Sequence, residues 1–328
     1  MSTAPIESRS GQVVAIVAAV QALSTIFLAL RFYTRLRIQR MGLGADDWII
    51  IAAWLLTLTY GTDISLQTKF GLGKHLIDLP RETDFTTSNI LFYAKQPVYY
   101  ISVSLTKVSI IFFYFRLFPQ VNYRMFLWFM MTFVLLTGFT SSVAGIFQCH
   151  PIHRAWDTSV PGTCFDLRAL FCANAGLNIF QDFVIYLLPS PILWNIQLPV
   201  KQRIALVGIF VVGGFVCITG IVRVATLWDA IYSDDPTWYH FDAAVWSAIE
   251  SNFGIVCASL VHFKPLIAKI APSILGTPRS PKHGKMVKLK DNPGNPENAN
   301  RITFGQYQGN KPVDSLTGTE VEEDICKD

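Results

Sequence analysis

Five ionisable residues stand inside long apolar runs of this chain: Lys95, Lys107, Asp182, Arg223 and Glu250. Amide side chains accompany them. Asn174, Asn178 and Gln181 recur at i, i+4 and i+7, with Asp182 beside Gln181, so one face of a helix there is polar. A charge placed mid-span in lipid costs about 2.5–3.5 kcal/mol on insertion scales, so such groups turn inward and find partners. Two readings follow. The charges can neutralise one another and fix helix register. They can also line a site for a bound molecule, with Lys107, Asn178, Asp182, Arg223 and Glu250 as ligand contacts. A carboxyl group in a dry site can keep its proton near neutrality. An acid-initiated cyclisation or isomerisation requires that state, and Asp182 and Glu250 are the candidate acids. At 1.5 Å of rise per residue, Lys107 lies about 13 Å from Arg116, and Asp182 about 18 Å from the inner end of its span. The two can meet in mid-bundle. Glu250 and Arg223 fall in the outer half, and Lys95 near the outer rim.

The elements that carry these groups are membrane spans. Of 328 residues, 51% are hydrophobic and only 15% charged, against about 25% charged in soluble domains. Seven apolar stretches match the thickness of a bilayer: about 13–30, 48–62, 90–117, 126–149, 169–194, 204–228 and 243–263. They do not alternate as barrel strands do, and lipid offers no hydrogen-bond partners, so helices are expected. The fold class is all-α, a seven-transmembrane helix bundle. Basic residues sit in alternate loops: Arg31, Arg35, Arg37 and Arg40 after span 1, Arg116 and Arg124 after span 3, Lys201 and Arg203 after span 5, and Lys264 and Lys269 after span 7. The loop after span 6 carries Asp229, Asp234, Asp235 and Asp242 without Lys or Arg. The positive-inside rule then places the N-terminus outside and the C-terminus in the cytosol. Span 1 reads as an uncleaved span. Residues 1–270 form the membrane domain. Residues 271–328, rich in Pro, Gly, Asn, Lys and Glu, read as a disordered cytosolic tail.

Cys149 and Cys164 bracket one outer loop, where disulfides persist, and are expected to be bridged. Cys172, Cys217 and Cys257 lie within spans and read as small apolar residues. His75, between Gly71, Gly73 and the rest of a longer outer loop, reads as a locally bonded residue. With no second ligand at metal spacing, no metal is expected. Span 7 has only Lys264 at its rim, so retinal attachment is not expected, and no other cofactor is. The acidic pair Asp46-Asp47 and the segment Ser233-Asp234-Asp235-Pro236 fall on opposite sides, which disfavours diphosphate chemistry. Phe112, Phe113, Tyr114, Phe126, Trp128 and Phe129 read as packing or interfacial belt.

A set of residues in order then resembles a family: Gly44-Ala45-Asp46-Asp47-Trp48; Gly71, Gly73 and His75; Lys107, Ser109 and Arg116; Cys149, Pro151, Trp156, Gly162 and Cys164; Asn178, Asp182, Pro189 and Pro191; Arg223; Trp246 and Glu250. From about Val13 to Pro265 the chain is similar to the fungal rhodopsin-domain family. That family includes satratoxin-cluster type membrane proteins and pathogenesis-related receptor-like proteins. The resemblance implies seven helices, a fungal source and a membrane location, in the plasma membrane or an endomembrane. It implies an accessory or enzymatic part in secondary-metabolite biosynthesis, on a hydrophobic small molecule held in the bundle. The alternative is a receptor-like sensor of an extracellular cue. Receptor-like members often carry an extracellular cysteine-rich domain and a long tail, which favours the first role for this chain. The expected partners are membrane lipid, the small molecule, and cytosolic signalling or biosynthetic proteins, with no nucleic acid.

Overall fold

The computed structural model describes residues 8–75, 77, 84–157, 159–188, 200–233 and 235–263, with backbone alone at 167–168, 200–210, 231–232 and 236. The predicted tail domain, the Asp234 position, Pro189, Pro191, Lys264 and Pro265 lie outside the described residues. Among those described, seven helices are long and apolar enough to cross a membrane. They are α1 (Ser10–Tyr33), α2 (Ala45–Gln67), α3 (Phe85–Leu117), α4 (Val121–Ile146), α5 (Leu167–Leu187), α6 (Val200–Tyr232) and α7 (Pro236–Leu260). Each helix packs on the next, and α7 returns to α1, so the bundle closes. α7 also packs against α2 and α3 across the middle. Small residues permit the close approaches. A side chain at Gly138 of α4 would collide with Ser104 of α3, and one at Gly61 of α2 would press on Val17 of α1.

Every helix starts before the apolar stretch that revealed it, while α4 and α7 end three residues short of theirs, at Ile146 and Leu260. From its sequence, span 2 is expected to end near Thr62. α2 continues to Gln67 and then through a 3-10 turn, Thr68–Phe70. Hydropathy stops at Asp63, but the helix can carry a carboxylate inside when the neighbouring helix faces it with polar groups. Helix starts follow local chemistry. The Asp84 side chain caps α3 by accepting from Thr87 N at 3.0 Å. Pro236 opens α7 at a position where no N–H is needed. Gly44 N donates to Asp47 Oδ2 at 3.0 Å, and Asp46 and Asp47 occupy the first turn of α2, where the helix dipole favours negative charge.

Those two aspartates organise one end of the bundle. Arg31 is fully buried; its Nε donates to Asp47 Oδ1 at 3.1 Å, one terminal nitrogen to Asp46 Oδ2 at 2.9 Å and the other to Ala258 O at 2.8 Å. Arg35 lies 2.7 Å from a carboxylate oxygen of each aspartate. Arg116 of α3 reaches Asp46 Oδ1 at 3.4 Å, and Ser109 donates to Asp46 O at 3.0 Å. His262 Nε2 lies 3.3 Å from Asp46 Oδ2. This corrects the loop reading of Arg31 and Arg35. The chain stays helical through a π turn, Thr34–Ile38, and both guanidiniums point inward. They are structural ion-pair partners and not free loop charge.

At the opposite end the Cys149–Cys164 disulfide is present, and the two short strands Cys149–His150 and Thr163–Cys164 pair antiparallel around it. A Cβ at Gly162 would run into His150 O and Pro151, which explains a glycine there. Asp157 accepts from Ser159 Oγ and N, bonds that hold its carboxyl below the usual range. The loop docks on α3 through Trp156, whose ring meets Tyr93 at 5.2 Å.

His75 is not locally bonded as expected. Gly71 and Gly73, both at positive φ, turn the chain back after α2. That turn places His75 Nδ1 2.8 Å from Asp235 Oδ2 and stacks its ring 3.8 Å from Trp238. Arg9 covers Trp238 at 4.2 Å and donates its backbone N–H to Gly73 O at 2.9 Å. The partners lie on three segments remote in sequence, which is why spacing did not show them.

Removing one partner of a buried ion pair strands the other, at about 3–5 kcal/mol. Asp47→Asn leaves Arg31 and Arg35 short of a carboxylate. The variant is expected to lose its monodisperse peak on heating in detergent well below the parent chain. Arg37→Gln, placed in the same turn but outside these pairs, is expected to match the parent.

Candidate functional site

Lys95, Tyr99, Val103 and Lys107 lie four residues apart along α3 and share one face toward the bundle interior. All four are buried. Opposite stand the polar face of α5, Arg223 of α6 and Glu250 of α7. Lys107 Nζ lies 3.0 Å from Asp182 Oδ1. It donates to Asn178 Oδ1 at 2.6 Å and Asn178 O at 2.9 Å, with Gln181 Oε1 at 3.3 Å. Asn178 Nδ2 bridges the two carboxylates, donating to Asp182 Oδ2 at 3.4 Å and to Glu250 Oε1. Glu250 Oε2 accepts from Tyr99 OH at 2.9 Å and lies 2.8 Å from Arg223 Nε. The Arg223 guanidinium rests 5.1 Å from the Tyr99 ring centre. Gln181 Nε2 extends the network to Thr137 Oγ1 of α4 at 2.6 Å.

The structure therefore brings together Lys107, Asn178, Asp182, Arg223 and Glu250 in one connected set with two positive and two negative charges. Asn252 does not join it, although it sits two residues from Glu250. It faces α1 and accepts from Ser24 Oγ at 2.6 Å. Lys95 stays apart, nearer the outer rim. Tyr99 is the member that spacing alone did not single out. Its position, eight residues before Lys107 on the same helical face, was the available signal.

A cavity of about 80 Å³ opens beside this network between α3, α5, α6 and α7. A water occupies roughly 10–15 Å³ on the same measure, so the space holds several waters or part of a small ligand. Lys107, Asp182 and Glu250 form its polar end; Ile110, Val216 and Val261 belong to its apolar side. Cys217 and Cys257 also line it and are half-buried free thiols. Such a cavity suits a mostly apolar molecule with one polar group. All four carboxylate oxygens of Asp182 and Glu250 already face a donor or a cation. Proton donation into the cavity from either requires one of those contacts to open. The aromatic residues Trp128 and Phe129 are exposed on the outside of α4, away from the cavity, and Tyr114 is buried.

A model described as the fungal rhodopsin domain matches residues 30–269. The Polyenoic acids biosynthesis gene cluster protein Ba17b of Metarhizium anisopliae is 28% identical over 268 residues, covering 77% of this chain and 73% of that protein. The Satratoxin biosynthesis SC1 cluster protein 4 of Stachybotrys chartarum is 25% identical, over 52% of this chain and 63% of its own. Receptor GIN3 of Arthrobotrys oligospora is 25% identical, over 78% of this chain and 62% of its own. Among the first relatives matched, the shared segment covers 46% to 73% of their length. No solved structure matches the chain.

The network makes a non-additive prediction. Lys107→Met alone leaves Asp182 without its cation and is expected to destabilise the detergent-purified protein by about 3–5 kcal/mol. Lys107→Met combined with Asp182→Leu removes both charges and is expected to recover most of that loss, read as midpoint temperature for retention of the monodisperse form. Additive losses would show that the two side chains do not interact.

Proposed function

The chain belongs to the fungal rhodopsin domain family, and on that footing we propose that this multi-pass membrane protein binds a hydrophobic small molecule in the cavity beside Lys107, Asp182 and Glu250, as a component of secondary-metabolite biosynthesis. The observation that carries the reading is the cavity itself, with a charge-balanced polar end and apolar walls in the middle of the bundle. Relatives named for biosynthesis clusters supply the metabolic context. The polar end orients one oxygen or nitrogen of the molecule, and the apolar walls take its body. The occupied carboxylate oxygens favour holding and presenting a molecule over protonating it. Asp182 or Glu250 acts as an acid only if ligand entry displaces Asn178 or Tyr99.

A receptor-like role is the second reading. It is favoured by the similarity to Receptor GIN3 and by the continuity of the network. One cluster joins α3, α5, α6 and α7; α3 also carries the Arg116 contact to Asp46, and His262, two residues after α7, makes another. A molecule that displaced Asn178 would bear on helices that reach the other end.

Deleting the gene in its host and profiling metabolites separates the two. Loss of one product with accumulation of its precursor is the expected outcome, restored by the parent chain and by Asn252→Ser. Asp182→Asn and Glu250→Gln, at equal protein level, are expected to restore less than a tenth of the product. Unchanged metabolites with altered transcription after an external stimulus would favour the receptor.

A further inference from the structure

A second cavity, also of about 80 Å³, lies nearer the Asp84 end of α3 and is lined from α2, α3, α5, α6 and α7. Its polar lining includes Lys95, Gln96, Arg223, His240 and Ser247, and its apolar lining includes Phe92 and Phe171. Phe92 meets Phe171 edge-on at 6.4 Å and His240 at 5.2 Å.

Two features of this lining are incomplete. The first is Lys95. It is 7% exposed, donates to Gln67 Oε1 at 2.6 Å and lies 4.8 Å from the Phe92 ring centre. Among the described residues it forms no ion pair. Arg31, Arg35, Lys107 and Arg223, the other buried cations described, each meet a carboxylate within 3.0 Å. Asp63 acts on Lys95 electrostatically but makes no ion pair with it. An ammonium group has three donors, and the single oxygen partner of Lys95 uses one. The second is Gln96. It is 6% exposed, and neither its amide nitrogen nor its amide oxygen has a hydrogen-bond partner. Buried polar groups in native structures are nearly always partnered. Here a cation with no carboxylate at ion-pair distance and an amide without partners are consecutive residues lining one cavity.

We propose that this cavity is a second binding site, for a small organic monocarboxylate with an aromatic or aliphatic body. An ammonium with two unused donors and only the more distant charge of Asp63 has room for one carboxylate in direct contact. The carboxylate sits against Lys95 and accepts from Gln96 Nε2, and the body packs on Phe92 and Phe171. Arg223, whose guanidinium already engages Glu250, closes the floor. The site is separate from the cavity beside Lys107, and its test substitutes Lys95 and Gln96, with Asp182 of the other cavity as the control.

The full chain in detergent micelles is titrated with 4-fluorophenylacetate and, separately, with neutral 4-fluorophenylacetamide, followed by fluorine NMR line width, with empty micelles as blank. Saturable broadening by the acid at concentrations about tenfold below the amide is expected. Lys95→Met and Gln96→Leu are each expected to weaken the acid about tenfold, and Asp63→Asn to strengthen it. Asp182→Asn is expected to leave acid binding unchanged; if it abolishes binding, the acid occupies the inner cavity and this assignment falls. Equal broadening by acid and amide also overturns it, as does undiminished acid binding in a monodisperse Gln96→Leu variant. Competition distinguishes the source of the acid: unlabelled phenylacetate displaces the probe if the acid arrives from water, decanoate if it arrives from the lipid phase. Displacement by neither overturns the proposal.

Discussion

A charge carried into lipid must meet its opposite inside the protein, because no water is there to solvate it. In this bundle that constraint is met at two levels. Asp46 and Asp47 draw in Arg31, Arg35 and Arg116 at one end, and Lys107, Asp182, Arg223 and Glu250 balance in the middle. Helices otherwise held by dispersion and neutral hydrogen bonds are thereby tied at specific registers. α3 and α7 take part at both levels, and they are the helices that cross the centre of the closed ring.

The same requirement shapes what the interior can do. A network built to satisfy every charge leaves little free chemical capacity. Each carboxylate oxygen of Asp182 and Glu250 is engaged, so the middle of the bundle is better suited to recognising a polar group than to proton transfer. The cavity next to it supplies apolar surface on its remaining sides. On the proposed reading, recognition there would exchange one partner in the network for a ligand atom, in a network that joins four helices. The chain is similar both to a protein named for a biosynthesis gene cluster and to one named as a receptor.

The outer end is organised differently. Its contacts are a disulfide, two positive-φ glycines and a stack of Arg9, Trp238 and His75. The stack and the glycines join the residue that caps α1, the turn after α2 and the start of α7, while the disulfide closes the loop between α4 and α5. Water reaches this level, so aromatic stacking and single hydrogen bonds suffice where the interior needs full ion pairing. Between the two regimes lies Lys95, a buried cation without a carboxylate against it.

The number of helices, the bridge between Cys149 and Cys164, and the family were all legible in the residues. Each depends on local or one-dimensional information: apolar run length against bilayer thickness, a pair of cysteines within one outer loop, ordered motifs. The meeting of Lys107 with Asp182 was legible too, because helical rise places both at similar depth. What the residues could not disclose was rotation and partner choice. Arg31 and Arg35 read as loop charge until the helix was seen to continue and turn them inward. Span 2 read as ending near Thr62, and His75 as a local contact, until the fold carried α2 on to Gln67 and brought Asp235 beside His75. Hydropathy measures the cost of a group as though it stood alone, whereas the tertiary fold decides which opposite charge stands against it. That pairing sets both where a helix can end and which side chains remain for a ligand.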